Sequence, residues 1–236
     1  MAKLDWELND KVALVTMGEA DNKLNIDLVK SLLEMLDKIE KETEALTLVI
    51  KSGHTHIWTN GFDIDWILAS LGKGNKKEVK EFLVMDLALR RRLLTYPLIT
   101  IAALNGHCFG GGAVFSCCFD FRFMRLDRGF FCIPVIDRGY PILPGTGALL
   151  TSVLPAYIIN ELILTGRRLT GAECAAGHVA VAAYNNDELM DKVMAYARGL
   201  NKGRGIVGEM KKVLNGPIVK LMEEDAESLP EGLVLV

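Results

Sequence analysis

The chain has 236 residues, of which 50% are hydrophobic and 24% are charged, and its formal net charge is -3. This length and apolar content predict one globular domain with a small helical appendix. The slight negative charge argues against general binding to nucleic acid or to a membrane surface, no apolar run reaches the ~18 residues that suggest a membrane span, and the N-terminal segment MAKLDWELND contains no signal-peptide pattern.

The first half of the chain predicts alternating strands and helices. Apolar alternation on either side of Asn9 predicts a β-hairpin, and Asp27 is expected to cap a helix whose apolar residues recur at helical spacing. Arg90, Arg91 and Arg92 lie near the end of a later helix and are expected to form a solvated face, with binding of a phosphate group as the alternative interpretation. The predicted elements are strands 4–8 and 12–17, a helix at 28–39, a strand at 46–50, a loop at 54–60, a helix entered at 61–63, a mobile loop at 71–77 and a helix at 78–95.

The stretch from Ile101 to Asp120 has the pattern of a buried strand, a tight glycine turn and a buried helix. Gly110, Gly111 and Gly112 carry no Cβ, so backbone N–H groups in this turn can approach a ligand closely. N–H groups at the start of a helix also lack intrahelical partners, so such a turn can hold an oxyanion or a phosphate. The alternative interpretation of three glycines is a flexible turn with close backbone packing.

The second half continues the alternation of strands and helices, which predicts an α/β class with crossover connections. A loop rich in proline and glycine interrupts it at 134–144. The predicted elements are strands 121–124 and 130–133, helices beginning at 147, 157 and 170, a strand at 179–183, a helix at 187–200 and a final helix pair within 206–224.

The cysteines and histidines give no sign of a disulfide framework or a metal site. Five cysteines occur without Cys-x-x-Cys spacing, and three lie in very apolar runs, which predicts reduced, buried thiols and a cytoplasmic location. His54 and His56 are two positions apart with no third ligand nearby, so we predict no metal at this position.

Several spaced motifs in the chain resemble the crotonase superfamily, the enoyl-CoA hydratase and isomerase group. The resemblance runs from residue 4 to about residue 200, and the segment MRLDRGFF, 124–131, is similar to the isomerase-like branch. The motifs that carry it are PLITIAALNG at 97–106, the three glycines at 110–112, CFDFR at 118–122, WTNGFDI at 58–64, ELILTG at 161–166, AECA at 172–175 and the glycine at 177.

This resemblance implies a crotonase-like spiral of ββα units with a C-terminal helical region. It implies an acyl-CoA-binding core at residues 1–195 and a C-terminal helical segment at 196–236 that serves trimer assembly. The implied ligand is an acyl-CoA thioester, with coenzyme A as part of the substrate and no separate cofactor. The implied assembly is a homotrimer or a dimer of trimers.

The resemblance also assigns site residues. It implies that the backbone N–H groups of Phe62 and Gly111 bind one thioester oxygen as it becomes an enolate. The positions implied to contact the substrate are Asn60, Gly61, Ile64, Gly110, Val114 and Val135.

The proton-transfer residues are the point where this sequence departs from the family. Family hydratases use two glutamates, and the matching positions here are Val114 and Val135. A valine can neither accept nor donate a proton, so hydration by the two-glutamate mechanism is not expected. Asp137, two residues after Val135, is a candidate for a relocated general base, and a turn or salt-bridged aspartate is the alternative interpretation. Asp63 is expected to cap a helix.

Three functions remain open from the sequence. The first is an enzyme of the enoyl-CoA hydratase/isomerase type that stabilises a thioester enolate and uses a non-standard base. The second is a non-catalytic crotonase homologue that binds acyl-CoA. The third is a decarboxylase-like reaction, because enolate stabilisation can support decarboxylation with little help from a carboxylate base.

Overall fold

The computed structural model describes residues 4–18 and 21–229 and shows a mixed α/β protein with two sheets. The strand order is β1-β2-β3-β5-β7-β10 in the six-stranded sheet and β4-β6-β8-β9 in the four-stranded sheet. The strands are β1 (Leu4–Asn9), β2 (Val12–Met17), β3 (Thr47–Ser52), β4 (Ile57–Thr59), β5 (Ile99–Leu104), β6 (His107–Phe109), β7 (Phe121–Arg125), β8 (Phe130–Cys132), β9 (Leu169–Thr170) and β10 (Ala182–Tyr184).

Helices connect and cover these sheets. Within the described residues, no helix is both long and apolar enough to cross a bilayer. The helices are α1 (Ile26–Glu42), α2 (Ile64–Gly72), α3 (Lys76–Leu94), α4 (Gly111–Ser116), α5 (Pro144–Val153), α6 (Ala156–Thr165), α7 (Gly171–Ala176), α8 (Asn186–Gly199) and α9 (Arg204–Ser228), with a 3-10 turn at Ile136–Arg138.

The sheets arise from a repeated unit in which one strand enters each sheet before the chain turns into a helix. β3, β5 and β7 pair in parallel in the larger sheet, and β4, β6 and β8 pair in parallel in the smaller one. Parallel neighbours need crossover connections, which here are helical. The predicted α/β class and the spiral of ββα units are confirmed.

The strands β2, β3 and β5 of the six-stranded sheet are buried on both faces. Side chains alternate between the faces along a strand, so Val12 and Leu14 pack with α8 whereas Ala13 and Val15 belong to the main core. Two-sided burial explains why these strands are continuously apolar. The predicted hairpin of β1 and β2 is confirmed, with Asn9 paired to Val12 next to the turn.

Two predicted loops contain regular structure. The loop predicted at 54–60 contains β4, because parallel pairing with β6 and complete burial of Trp58 against Phe115 outweigh its polar sequence. The mobile loop predicted at 71–77 is reduced to the three residues between α2 and α3. Gly74 turns the chain there with a φ of +81°.

Several predicted helix ends differ from the structure. Asn25 rather than Asp27 caps α1, because its side chain accepts a hydrogen bond from the N–H of Leu28 at 3.0 Å. α5 begins at Pro144 and not at Gly147, since proline suits the first position of a helix.

The predicted C-terminal helix pair is one helix. α9 continues through Pro217 because packing against α5 and α3 outweighs the local cost of a proline. The predicted boundary between residues 195 and 196 lies inside α8, and the division into two domains stays a prediction. The ends of those two segments, residues 1–3 and 230–236, lie outside the described residues.

A buried lysine joins α9 to the centre of the larger sheet. The Nζ atom of Lys211 lies 2.7 Å from Asp120 Oδ2 and donates to the carbonyl of Leu98. Asp120 also accepts hydrogen bonds from the N–H and the hydroxyl of Thr100. One carboxylate therefore ties β5, the start of β7 and α9 together.

We expect Lys211→Met to lower the free energy of unfolding by about 2 kcal/mol, the usual value for hydrogen bonds to a charged group. The matched control is Lys212→Met, because Lys212 pairs with Glu209 on the exposed side of α9 and an exposed pair contributes about 0.5 kcal/mol or less. Urea unfolding of both variants measures the difference. Equal losses would contradict an anchoring role for Lys211.

Candidate active site

Three loops meet at one edge of the four-stranded sheet. β4 pairs in parallel with β6, and β6 pairs in parallel with β8. The carboxyl ends of parallel strands lie at the same edge, so the chain leaves β4 at Asn60, β6 at Gly110 and β8 at Ile133 side by side. The pairing places three predicted regions of the site together: 60–64, 110–114 and 133–135.

Gly61 lies directly against the second of these loops. Its φ is +79°, and a Cβ at this position would lie 2.6 Å from the carbonyl oxygen of Phe109 and 3.1 Å from the backbone N of Gly111. Only glycine permits both this backbone conformation and this approach. The glycine therefore sets the spacing between the loops that follow β4 and β6.

The backbone of Phe62 is fixed by Leu24. The N–H of Leu24 donates to the carbonyl of Gly61 at 2.7 Å, and its carbonyl accepts from the N–H of Asp63 at 3.0 Å. In this parallel bridge the N–H of Phe62 points away from Leu24. It makes no hydrogen bond to any other residue in the described ranges, so it is available to a ligand.

Asn22 holds the chain that carries Leu24. Its side-chain amide donates to the Ser52 hydroxyl at 2.7 Å and to the Trp58 carbonyl at 3.0 Å. Its own carbonyl accepts from the hydroxyl of Thr59 at 2.6 Å. The sequence analysis missed this residue, since a polar break of several residues gives no sign of which amide is buried.

The glycine turn presents the second N–H group. Gly110 adopts φ +54° and ψ -125°, a conformation that favours glycine, and donates to the carbonyl of Cys132 at 2.8 Å. Gly111 is the first residue of α4, and a Cβ on it would lie 3.0 Å from the ring of Phe62. Within the described part of the chain, the N–H of Gly111 also donates no hydrogen bond. The two predicted donors thus belong to backbone segments in contact.

The two valines leave the site without a carboxylate at the matched positions. Val114 lies in α4 with 4% exposure and belongs to the main core. Val135 is half-buried against the same core, and its carbonyl accepts from the N–H groups of Arg138 and Tyr140. Valine therefore occupies both positions, 114 and 135, at which the hydratases of the crotonase superfamily have a glutamate.

The predicted site residues Asn60, Ile64 and Asp137 differ in burial and in the contacts that they make. Asn60 is half-buried and donates its N–H to the carbonyl of Asp21, and Ile64 begins α2 and packs on the core. Asp137 is exposed in the 3-10 turn, with its carboxylate beside Gly166. No described contact joins Asp137 to Phe62 or Gly111, and its role as a base stays a prediction.

Asp63 and His54 both shape the loops around β4. The Asp63 carboxylate accepts from the N–H of Trp66 and caps α2, as predicted. The ring Nδ1 of His54 accepts from the N–H groups of His56 and Ile57, which gives His54 a structural role in the turn. Within the described ranges, no cluster of three or more His, Cys, Asp or Glu residues could hold a metal ion.

The arginines of α3 do not form the solvated face that was predicted. Arg90 is 3% exposed and lies in an ion pair with Asp86, which is also buried. Arg92 pairs with Asp37 and Glu40 of α1. The spacing of residues along the helix could have predicted this burial. Asp86 and Arg90 follow the buried Phe82 at intervals of four residues, so the three side chains lie on one face of α3.

All five cysteines are free and buried. Burial raises the pKa of Cys118 and of Cys174 to about 12, so both are thiols rather than thiolates at neutral pH. The predicted reduced, buried state is confirmed for these residues.

Comparison with known proteins identifies similar sequences and folds. A sequence profile described as enoyl-CoA hydratase/isomerase matches residues 7–228. The chain is 33% identical over 181 residues to enoyl-CoA delta isomerase 3 of Arabidopsis thaliana, covering 76% of each protein. It is 27% identical over 182 residues to the peroxisomal enoyl-CoA delta isomerase 2 of the same plant, again covering 76% of each.

Solved structures share the fold at lower sequence identity. A probable enoyl-CoA hydratase from Mycobacterium tuberculosis matches with a TM-score of 0.87 and 16% identity, covering 96% of this chain and 94% of that one. An enoyl-CoA hydratase from Bacillus halodurans matches with a TM-score of 0.84 and 22% identity, covering 95% and 90%. The similarity extends over nearly the whole chain, including both sheets.

We expect Gly61→Ala to destabilise the protein by about 1–3 kcal/mol more than Gly74→Ala does, the usual range for overpacking. Both glycines have similar positive φ values, but a Cβ on Gly74 meets nothing within 4 Å. Gly74→Ala therefore measures the cost of the backbone conformation alone, whereas Gly61→Ala adds the collision of the new Cβ with Phe109. Urea unfolding measures both variants, and equal losses would show that Gly61 does not set the spacing of the loops.

Proposed function

Because the chain belongs to the enoyl-CoA hydratase/isomerase family, we propose that it binds an acyl-CoA thioester and stabilises its enolate. The thioester oxygen lies between the backbone N–H groups of Phe62 and Gly111. Gly61 and Gly110 allow the two segments to approach, and Asn60, Ile64, Val114 and Val135 contact the ligand around them. Coenzyme A is part of the substrate, and the proposal needs no separate cofactor.

One observation carries this proposal. The N–H groups of Phe62 and Gly111 lie on adjoining backbone segments, and neither donates a hydrogen bond to another residue in the described part of the chain. Polar backbone groups are nearly always paired or solvated in folded proteins. Two free donors on facing loops suit a single oxygen that gains negative charge during a reaction.

The reaction that we propose is proton transfer next to the thioester carbonyl, as in a shift of a carbon–carbon double bond. Two of the relatives are named as enoyl-CoA delta isomerases. Hydration by two glutamates is not part of the proposal, because Val114 and Val135 occupy those positions. The proton-transfer residue must therefore come from elsewhere in the chain.

A second candidate function is acyl-CoA binding without turnover. The apolar residues at positions 114 and 135 favour it, since they leave the thioester pocket without the usual carboxylates. A decarboxylase-like reaction is the third candidate, because loss of carbon dioxide forms the same enolate without removal of a proton by a carboxylate. All three candidates use the same pair of N–H groups.

We also propose assembly into a homotrimer or a dimer of trimers in the cytoplasm. Large apolar side chains exposed on α9 support an assembly, with Val213 78% exposed and Leu214 75% exposed. Contiguous exposed apolar side chains can mark contact sites between proteins, and Ile206, Met210, Val213 and Leu214 recur on α9 at helical spacing. The named relatives include peroxisomal and mitochondrial proteins.

We expect Gly111→Pro to weaken binding of an enolate-mimicking CoA ligand by about 10²-fold, the usual effect of losing one oxyanion donor. Proline removes the N–H but suits the first position of a helix, which Gly111 occupies. The plain acyl-CoA thioester should lose less affinity, because its oxygen carries less charge. Calorimetric titration of wild type and variant with both ligands measures the two losses.

The matched control is Gly111→Ala, which keeps the N–H and adds a Cβ in the same position. Circular dichroism establishes that each variant is folded before titration. Equal losses for the two ligands in Gly111→Pro would show that this N–H gives no preference for the enolate. Absence of acyl-CoA binding by the wild-type protein would reject the proposed function.

A further inference from the structure

A buried ion pair lies in α3, on the side that packs against the candidate site. Asp86 Oδ2 is 2.7 Å from Arg90 Nε, and the two side chains are 3% and 4% exposed. They are one helical turn apart, at the spacing that brings side chains into contact. The proposed function uses neither residue, and the resemblance to the crotonase superfamily assigned no catalytic or binding role to either.

Two ring contacts place this pair close to the proposed oxyanion site. The guanidinium carbon of Arg90 lies 5.7 Å from the centre of the Phe62 ring, which is the ring that a Cβ on Gly111 would meet. Phe82 of α3 packs edge-on against Phe62 at 5.4 Å between ring centres. Arg90 therefore packs on the side chain of the residue whose backbone presents the first N–H.

The pair also acts electrostatically on Cys118, which follows α4, the helix that carries Val114. The charge of Asp86 raises the pKa of Cys118, and the charge of Arg90 lowers it. Cys118 is one turn beyond Val114, and its sulfur lies 3.7 Å from the Val114 carbonyl oxygen. α4 has no carboxylate at Val114, whereas α3 carries a buried one at Asp86.

The geometry of the pair does not suit a purely structural role. Asp86 Oδ1 has no hydrogen-bond partner among the described residues, although its side chain is almost completely buried. Arg90 Nε lies 2.7 Å from Asp86 Oδ2, but its orientation does not meet the geometry of a hydrogen bond. A buried ion pair with unsatisfied atoms gives little or no net stability, and apolar residues of similar size are often more stable. An unpaired carboxylate oxygen in the helix that packs against Phe62 is explained if it accepts a proton during the reaction.

We propose that Asp86 is the proton-transfer residue of the site, an inference that rests on the proposed function. In a 3-enoyl-CoA thioester, Asp86 Oδ1 takes a proton from C2, and the C2–H electron pair forms the enolate whose oxygen lies between the two backbone N–H groups. The protonated carboxyl then delivers the proton to C4. The double bond moves from C3–C4 to C2–C3, and Asp86 returns to its ionised form.

The surroundings of Asp86 suit this role. Burial raises the pKa of Asp86, while the neighbouring Arg90 charge acts in the opposite direction. A base is most effective when its pKa approaches the working pH. Arg90 balances the charge of the carboxylate before the proton arrives, so the site does not need to bury an isolated anion.

The test is exchange of the C2 hydrogens of butyryl-CoA for deuterium in D2O, followed by mass spectrometry. A saturated thioester reports proton removal from C2 without requiring the natural acyl chain. We expect exchange by wild type, and a decrease of about 10²-fold or more in Asp86→Asn, the usual contribution of a general base. Calorimetry should show butyryl-CoA binding by the variant close to that of wild type.

Two further variants complete the design. Asp86→Asn combined with Arg90→Gln removes both charges and avoids an uncompensated buried cation, so it serves if the single variant does not fold. Asp225→Asn is the matched control, because Asp225 is another buried carboxylate, bonded to the N–H of Gly145 on α5. The double variant should lose exchange, and the control should retain it.

The outcomes separate this inference from the proposed function. Exchange at the wild-type rate in a folded Asp86 variant would overturn the role of Asp86 and leave the proposed binding intact. Binding of butyryl-CoA by wild type without exchange would also overturn it, and would favour the non-catalytic candidate. Absence of binding by wild type would reject the proposed function and this inference together.

Discussion

The close approach of the Gly61 backbone to the Gly110–Gly112 turn is the constraint on which the site depends. Parallel pairing of β4 with β6 brings the two loops to one edge of the smaller sheet. Glycine then allows contact at a distance that no side chain would tolerate. The bridge to Leu24 fixes the orientation of the N–H group of Phe62, and the start of α4 fixes the orientation of the N–H group of Gly111. Neither donor needs a side chain of its own.

Much of the fold could be predicted from the sequence because its signals are local. The apolar runs of β3 and β5, the hairpin before α1 and the glycines at 110–112 each specify their own conformation. The structure adds the long-range pairing that local patterns do not contain. β4 is a strand only because β6 lies beside it, and α9 passes through Pro217 only because α5 and α3 pack against it.

The sequence indicated which loops meet at the candidate site but not which ionisable side chains are buried close to it. The resemblance to the crotonase superfamily implied the positions of Phe62 and Gly111, and the structure shows the steric function of the glycines around them. Asp86 and Arg90 belong to a helix with a charged surface, and charged residues in such a helix are usually solvated. Their burial depends on the packing of α3 against Phe62, which lies in a separate loop of the chain. Helical spacing from Phe82 was the one available sign.

The most direct test of the account is the infrared stretching frequency of a thioester carbonyl labelled with carbon-13 and bound to the protein. Two fixed N–H donors in a site with little water polarise a carbonyl more strongly than water does. The account predicts a band at lower wavenumber than for the free acyl-CoA in water, with part of that shift lost in the Gly111→Pro protein. A bound carbonyl band at or above the frequency of the free ligand would contradict it.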